Sequence, residues 1–161
     1  MWLRYLSPKF HNAKLHIYQN VIRNHSNMRE VISHMNIVYI SGSPRKNSNT
    51  DYLLKITLSV TGGQFIKLSD YRIEPCKSCR ACQELGKCVI DDDMCNIIIP
   101  ALLKADAIVI GSPVYFNNVS AQTKAFIDRT WCIRGQLRNK IGGAIVVGRR
   151  YGIESAISAI N

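Results

Sequence analysis

Four short apolar runs, each ending in serine or glycine, recur between residues 36 and 148 of this 161-residue chain. They read NIVYIS at 36–41, QFIKLS at 64–69, DAIVIGS at 106–112 and IGGAIVVG at 141–148. Runs of this length and composition are typical of buried strands in a parallel sheet. Helical patterns separate them, and the alternation predicts an α/β fold, a doubly wound parallel sheet with helices on both faces.

The helices are identified from the spacing of their apolar residues. In the segment 49–60, after Ser48 or Asn49 as N-cap, these are Leu53, Ile56, Leu58 and Val60. In the segment 118–131 they are Val119, Thr123, Phe126, Ile127 and Trp131. A helix over 93–104 follows three aspartates at 91–93, whose charge favours a helix start, and Pro100 should kink or divide it. A further helix begins at 153–160.

Residues 1–34 differ in composition from the rest. They carry five of the Lys and Arg residues against one Glu, and all four histidines, without a periodic apolar face. We therefore expect 1–34 to be a basic N-terminal extension outside the fold, and 35–161 to form the domain, starting at Met35.

The net charge of +10 raises the question of a nucleic-acid partner. Beyond residue 34 the excess of positive charge is dispersed, with no basic helix and no finger spacing, so no nucleic acid is expected. No apolar run reaches the roughly eighteen residues of a membrane-spanning helix, and the N-terminus does not resemble a secretory signal. We expect no membrane association and a cytoplasmic location.

The loop after the first apolar run, SGSPRKNSNT, has the composition of a phosphate site. It combines several hydroxyls and one guanidinium with the free N–H groups of a helix start. These residues are Ser41, Ser43, Arg45, Ser48 and Thr50. Neither the P-loop nor the dinucleotide glycine pattern is present, so a monophosphate fits better than a triphosphate. The alternative interpretation is a polar turn with a capping serine.

Two more loops follow strands of the predicted sheet. After the third run, Pro113, Val114, Tyr115 and Phe116 suit a flat aromatic ligand, unless the loop packs its own aromatic side chains into the core. After the fourth run, Gly148 permits close approach and Arg149 and Arg150 supply positive charge, unless both arginines are simply solvated. In a doubly wound sheet, ligands bind at this edge.

Four cysteines lie within thirteen residues, in CKSCRACQELGKC at 76–88. Such a group can be a metal site, a disulfide knot or an accident of composition. In a reducing cytoplasm, clustered cysteines more often bind metal or carry out redox chemistry. Cys95 and Cys132 fall outside the pattern and are expected to be ordinary helix cysteines.

Three segments together resemble the iron–sulfur flavoproteins, a branch of the NADPH-dependent FMN reductase-like group with a flavodoxin-like fold. They are GSPRKNSNT, PCKSCRACQELGKCVIDDDM and ADAIVIGSPVYFNNVSAQTKAFIDR, and the resemblance extends over Met35 to Gly152. It implies a sheet of order 2-1-3-4, with the family's fifth edge strand missing from this chain. It also implies a homodimer or a larger homo-oligomer.

The resemblance implies two cofactors, FMN and a four-iron, four-sulfur ([4Fe–4S]) cluster. The FMN phosphate would contact Ser43, Arg45, Ser48, Asn49 and Thr50. The isoalloxazine ring would contact Pro113, Val114, Tyr115, Phe116 and Asn117. The cluster would bind to Cys76, Cys79, Cys82 and Cys88, consistent with thiolates as the ligands of iron–sulfur clusters.

The implied function is electron transfer between a one-electron carrier such as ferredoxin and a two-electron acceptor, with no side chain required as acid or base. One alternative is an NAD(P)H-dependent FMN or quinone reductase whose cysteine loop is only structural. The other is a non-catalytic flavin- or zinc-binding module. Structural zinc usually splits its ligands into two separated pairs, which this compact spacing does not do.

Overall fold

The computed structural model describes residue 32 and residues 34–161, and the expectation for residues 1–34 lies almost entirely outside this range. The strands are β1 (Ile37–Ser41), β2 (Gln64–Lys67), β3 (Ala107–Tyr115), β4 (Asn118–Val119) and β5 (Ile141–Val147). Four of them are parallel and run in the order β2-β1-β3-β5, whereas β4 pairs antiparallel with the end of β3. Counting the parallel strands alone, this is the predicted order 2-1-3-4.

The helices connect these strands in the predicted alternation. They are α1 (Asn49–Thr61), α2 (Ala81–Leu85), α3 (Ile99–Lys104), α4 (Ala121–Arg129) and α5 (Ile153–Ile160). Short 3-10 turns cover Leu68–Asp70 and Thr130–Ile133. Residues Met35–Asn161 form one compact unit. Within the described part of the chain, no helix has both the length and the apolar character needed to cross a membrane.

Pro100 divides the helix predicted over 93–104. A π-helical turn at Met94–Ile98 comes first, and α3 then starts with Pro100 in its first turn. Proline is tolerated there because its missing N–H would have no partner within the helix in any case. Asp93, which directly precedes the π turn, makes no side-chain capping hydrogen bond, whereas the Asp92 carboxylate accepts from the Cys95 N–H at 3.3 Å in the first turn.

The apolar face predicted for α1 was largely wrong. Leu54 is fully buried, whereas Leu53, Ile56 and Val60 are 41%, 46% and 74% exposed. The helix approaches the sheet at Gly111, where an added Cβ would lie 2.5 Å from the Leu54 side chain. The packing face therefore consists of Thr50, Asp51 and Leu54. Because two of these three residues are polar, the spacing of apolar residues does not predict this face.

The face predicted for α4 is correct in its middle and wrong at both ends. Thr123 and Phe126 are buried, whereas Val119 is buried in β4 and not in the helix, and Trp131 is 55% exposed. The α-helix stops at Arg129 and continues as a 3-10 turn, which has fewer residues per turn. The change in period rotates Trp131 away from the core.

We predict that Leu54→Ala lowers the free energy of unfolding by about 2–5 kcal/mol, because it leaves a cavity between α1 and β3. The matched control is the neighbouring Leu53→Ala, which should change the free energy of unfolding by no more than about 0.5 kcal/mol. Chemical denaturation monitored by circular dichroism measures both. An equal decrease in the free energy of unfolding in the two variants would contradict the packing face of Thr50, Asp51 and Leu54.

Candidate functional site

Three loops lie together at the carboxyl edge of the sheet. In the parallel register Ser41 is level with Gly111, and Pro113 is level with Val147, so β1, β3 and β5 end next to one another. Each of these strands leads into a loop that the sequence predicted to bind a ligand. This edge is where ligands bind in open parallel sheets.

The first loop leads into α1 and is held by hydrogen bonds at both ends. The Ser48 hydroxyl accepts from the N–H groups of Thr50 and Asp51 at 3.1 and 3.3 Å. The buried Ser41 hydroxyl donates to the Asp51 carboxylate and accepts from the Ser43 N–H. Two of the predicted phosphate hydroxyls, those of Ser41 and Ser48, therefore also fix the conformation of the loop itself.

Lys67 of β2 closes the far side of this loop. Its ammonium donates to the Asp51 carboxylate and to the Arg45 carbonyl, both at 2.5 Å. Arg45 itself is exposed, and its guanidinium has no hydrogen-bond partner among residues 34–161. The backbone that carries Arg45 is thus anchored while its charge remains available to a ligand.

The second loop is a tight β-hairpin, because regular strand extends into residues that were predicted as loop. Strand β3 continues to Tyr115 and β4 pairs with it, so Val114 faces Val119 across the ladder. Phe116 and Asn117 form the turn, with φ of 47° and 62°. Phe116 is fully exposed. The alternative that the loop packs its aromatic side chains into the core is therefore wrong for this residue.

Buried hydroxyls connect the hairpin to the first loop. Ser120, the N-cap of α4, donates to the Gly42 carbonyl at 2.6 Å, and its N–H donates to the Ser112 hydroxyl. Thr123 donates to the same Ser112 hydroxyl. A Cβ at Gly42 would overlap the Thr123 hydroxyl, so only glycine lets the first loop approach α4 this closely.

The third loop packs directly against the hairpin. A Cβ at Gly148 would lie 3.0 Å from Val114, and one at Gly152 would lie 2.7 Å from the backbone of Asn117. Gly152 also has a φ of 85°, which favours glycine. Arg149 between these contacts is exposed, as are Arg150 and Tyr151. The structure therefore brings together the three loops that the sequence predicted.

The cysteine segment forms a separate site. Cys76 and Cys79 are exposed and Cys82 and Cys88 are half-buried, and all four line one cavity of about 820 Å³. The end of α4 and the 3-10 turn after it also line this cavity. Ser78 and Arg80 have positive φ values of 52° and 60°. Such backbone strain in non-glycine residues concentrates at functional sites.

The six cysteines are free thiols, so no disulfide knot is present. In the described part of the chain, no group of three or more Cys, His, Asp or Glu side chains is positioned to hold a metal ion. The four thiols of the motif share a cavity but do not converge on one point.

A buried ion pair beneath this cavity was not predicted. Arg129, at the end of α4, donates to both Asp92 carboxylate oxygens at 2.7 and 2.9 Å, and both side chains are almost completely buried. Arg129 also donates to the Glu74 carbonyl at 2.6 Å, just before the cysteine segment. No sequence pattern predicts this pair, because arginine and aspartate side chains are usually exposed at the protein surface.

The pair changes the ionisation of both partners. Burial alone would raise the pKa of Asp92, but hydrogen bonds from Arg129 and from the Glu74 N–H, with the Arg129 charge, bring this pKa below its usual value. Burial likewise opposes the charged form of Arg129, yet Asp92 and the nearby Cys88 hold its pKa above the usual range. Both groups are charged at neutral pH.

The two remaining cysteines both contact Arg129. Cys95 lies in the π turn and accepts a hydrogen bond from Arg129 at 3.2 Å. Burial, together with the neighbouring Cys88, raises the pKa of Cys95 to about 11. Cys132 lines the cavity and is buried, which raises its pKa as well. Both are protonated at neutral pH, although neither lies in a regular α-helix as predicted.

Residues 35–161 match the family of NADPH-dependent FMN reductases. The chain is 43% identical over 136 residues to an iron–sulfur flavoprotein of Methanocaldococcus jannaschii, which covers 79% of this chain and 70% of that relative. It is 39% identical over 137 residues to an iron–sulfur flavoprotein of Methanosarcina thermophila, covering 79% and 71%.

Solved structures show the same fold. An NADH:FMN oxidoreductase superimposes with a TM-score of 0.55 at 22% identity, over 77% of this chain and 64% of that chain. A flavodoxin, WrbA-like protein from Agrobacterium tumefaciens gives a TM-score of 0.51 at 18% identity, over 78% and 71%. The predicted flavodoxin-like fold is confirmed.

We predict that Asp92→Asn lowers the free energy of unfolding at pH 7 by about 3–5 kcal/mol, because it leaves the Arg129 charge buried without a counterion. Since the folded pKa of Asp92 lies below its unfolded value, its contribution is complete above about pH 4 and is lost as the pH falls through the folded pKa. The difference between parent and variant should therefore shrink in acid.

Denaturant titrations across this pH range measure the effect. The matched control is Asp91→Asn, because Asp91 is exposed and the chemical change is the same. Asp91→Asn should lower the free energy of unfolding by no more than about 0.5 kcal/mol. The buried ion pair would be contradicted if the loss of unfolding free energy in Asp92→Asn did not depend on pH. A loss no larger than that in Asp91→Asn would contradict it as well.

Proposed function

Because the chain belongs to the NADPH-dependent FMN reductase family and, within it, to the iron–sulfur flavoproteins, we propose that it binds FMN and a [4Fe–4S] cluster and transfers electrons between a one-electron carrier and a two-electron acceptor. Membership of the family makes the chain a flavin-dependent oxidoreductase. The observation that carries the finer proposal is the presence of two separate sites on one framework, a three-loop site at the sheet edge and a cavity lined by four thiols.

The three-loop site is suited to FMN. The first loop places Ser43, Asn49 and Thr50 near the free guanidinium of Arg45 at the start of α1. These residues fit a terminal phosphate. The hairpin presents exposed Phe116 beside partly exposed Tyr115, and these aromatic side chains fit a flat ring system. Gly148 and Arg149 complete the site from the third loop.

The cysteine cavity fits an iron–sulfur cluster better than a zinc ion. A single ion needs its four ligands to converge at one point, whereas a cluster accepts thiolates spread around a larger volume. Cys76, Cys79, Cys82 and Cys88 line a cavity of about 820 Å³, which has room for a group larger than a single ion. Arg129 and the exposed Arg80 and Arg134 in the cavity wall offset the negative charge of four thiolates.

When bound, FMN exchanges two electrons and the cluster one, so together they connect one- and two-electron chemistry. The residues of this chain bind and orient the two groups, and none of them is assigned as an acid or a base. Ferredoxin and NAD(P)H are the proposed electron donors. Six free thiols suit a reducing compartment such as the cytoplasm, and we propose a homodimer or larger assembly.

A plain NAD(P)H-dependent FMN or quinone reductase is the second candidate. It is favoured by the absence of a formed metal site among residues 34–161. In that case the cysteine segment would serve only as a structural cover over the end of α4. The two candidates share the flavin site and differ only in the cysteine cavity.

We predict that the flavin released from the protein is FMN, and that Arg45→Ala binds FMN on the order of ten- to a hundred-fold more weakly. This corresponds to the loss of about 1.5–3 kcal/mol for a hydrogen bond to a charged group. Chromatography identifies the flavin, and fluorescence quenching measures the affinity. Arg138→Ala, another exposed arginine, is the matched control and should bind FMN like the parent. Release of FAD, or equal affinities in all three proteins, would refute the phosphate site.

We predict that protein purified without oxygen contains about four iron and four sulfide per chain and little zinc. Cys79→Ala should lose the iron and retain FMN, because the three-loop site is separate. Cys132→Ala, which removes a thiol from the same cavity but outside the motif, should keep the iron. Metal and sulfide analysis distinguishes the candidates. Zinc without sulfide would indicate a structural site, and no metal would favour the plain reductase.

A further inference from the structure

The guanidinium of Arg129 has one N–H group without a partner, although the side chain is only 1% exposed. Arginine carries five N–H donors. One terminal nitrogen donates to Asp92 and to the Glu74 carbonyl, and the other donates to Asp92 and to the sulfur of Cys95. The Nε–H is the remaining donor, and it is buried with no acceptor in the described part of the chain.

An unsatisfied donor on a buried cation is costly, because its interaction with water is lost and nothing replaces it. The other four N–H groups of Arg129 are all used, so the arrangement around this side chain is otherwise complete. Over the described residues only one further buried side-chain atom lacks a partner, the Gln122 Oε1. The free Nε–H therefore indicates an acceptor outside the described residues.

Arg129 lines the cavity that contains the four thiols of the cysteine motif. Two cysteines outside the motif contact Arg129: Cys95 accepts from its terminal nitrogen, and Cys132 donates to its backbone carbonyl at 3.2 Å. An anionic, sulfur-containing group in the cavity would therefore adjoin a buried cation.

We propose that Arg129 is a positioning residue for the iron–sulfur cluster, donating its Nε–H to a sulfur atom of the cluster or of a ligating thiolate. The inference rests on the proposed function, since it requires the cluster to be bound. Asp92 holds the guanidinium in place through two hydrogen bonds and leaves the Nε–H free. A donated hydrogen bond disperses the negative charge added on reduction, so it favours the reduced cluster and raises its potential.

The test uses the full chain, purified without oxygen and labelled with nitrogen-15 at the ε nitrogen of arginine. Pulsed electron paramagnetic resonance of the reduced cluster should detect coupling to nitrogen-15. In Arg129→Lys this coupling should disappear and the midpoint potential should become more negative, with iron and sulfide content unchanged. Lysine keeps the positive charge, so the shift reports the lost hydrogen bond.

The matched control is Arg134→Lys, because Arg134 lines the same cavity but is exposed. This variant should retain both the coupling and the parent potential. Coupling that survives in Arg129→Lys, or a parent without coupling, would overturn the inference while leaving the cluster itself intact. A parent that contains no iron and sulfide would instead refute the proposed function, so the two failures are distinguishable.

If Arg129→Lys does not fold, the parent and two other variants still show which arginine donates the hydrogen bond. Arg80→Lys and Arg134→Lys remove the other arginines of the cavity wall. Coupling that persists in both would assign the nitrogen to Arg129. Its loss in either one would assign the hydrogen bond to that exposed residue and overturn the proposal.

Discussion

The buried pair between Arg129 and Asp92 is the interaction on which the rest of the cysteine site depends. It joins three segments that are distant in sequence: the end of α4, the turn before α3, and the chain at Glu74 where the cysteine segment begins. Burying two charges is costly unless each is fully hydrogen-bonded, and here nearly every donor and acceptor is used. Removing either partner would leave a buried charge and release the segment that carries the thiols.

Helix α4 connects the two candidate cofactor sites. Its first residues, with the N-cap Ser120, contact Gly42 in the first loop, and its last residue, Arg129, contacts the cysteine cavity. Nine residues of helix span about 13 Å. The two sites are thus fixed to opposite ends of one short rigid element. This arrangement suits a protein in which two cofactors exchange electrons, because it keeps their separation constant.

The sheet order and the three loops could be predicted from the sequence, because strand pairing and loop position follow from the alternation of elements. The extent of β3 could not, since its last two residues, Val114 and Tyr115, pair with a two-residue strand that no apolar pattern marks. The packing face of α1 was missed for a similar reason: Thr50 and Asp51 are polar but buried, and Gly111 lets the helix approach. The role of Arg129 depends on contacts across 37 and 55 residues, which local spacing does not contain.

The central claim is that this chain holds two redox groups, one in the three-loop site and one in the cysteine cavity. Reductive titration of the anaerobically purified protein tests it most directly, because it counts electrons whatever the identity of the physiological partners. Two groups require about three electrons per chain, two for FMN and one for the cluster. Full reduction by about two electrons would leave the flavin alone and contradict the account.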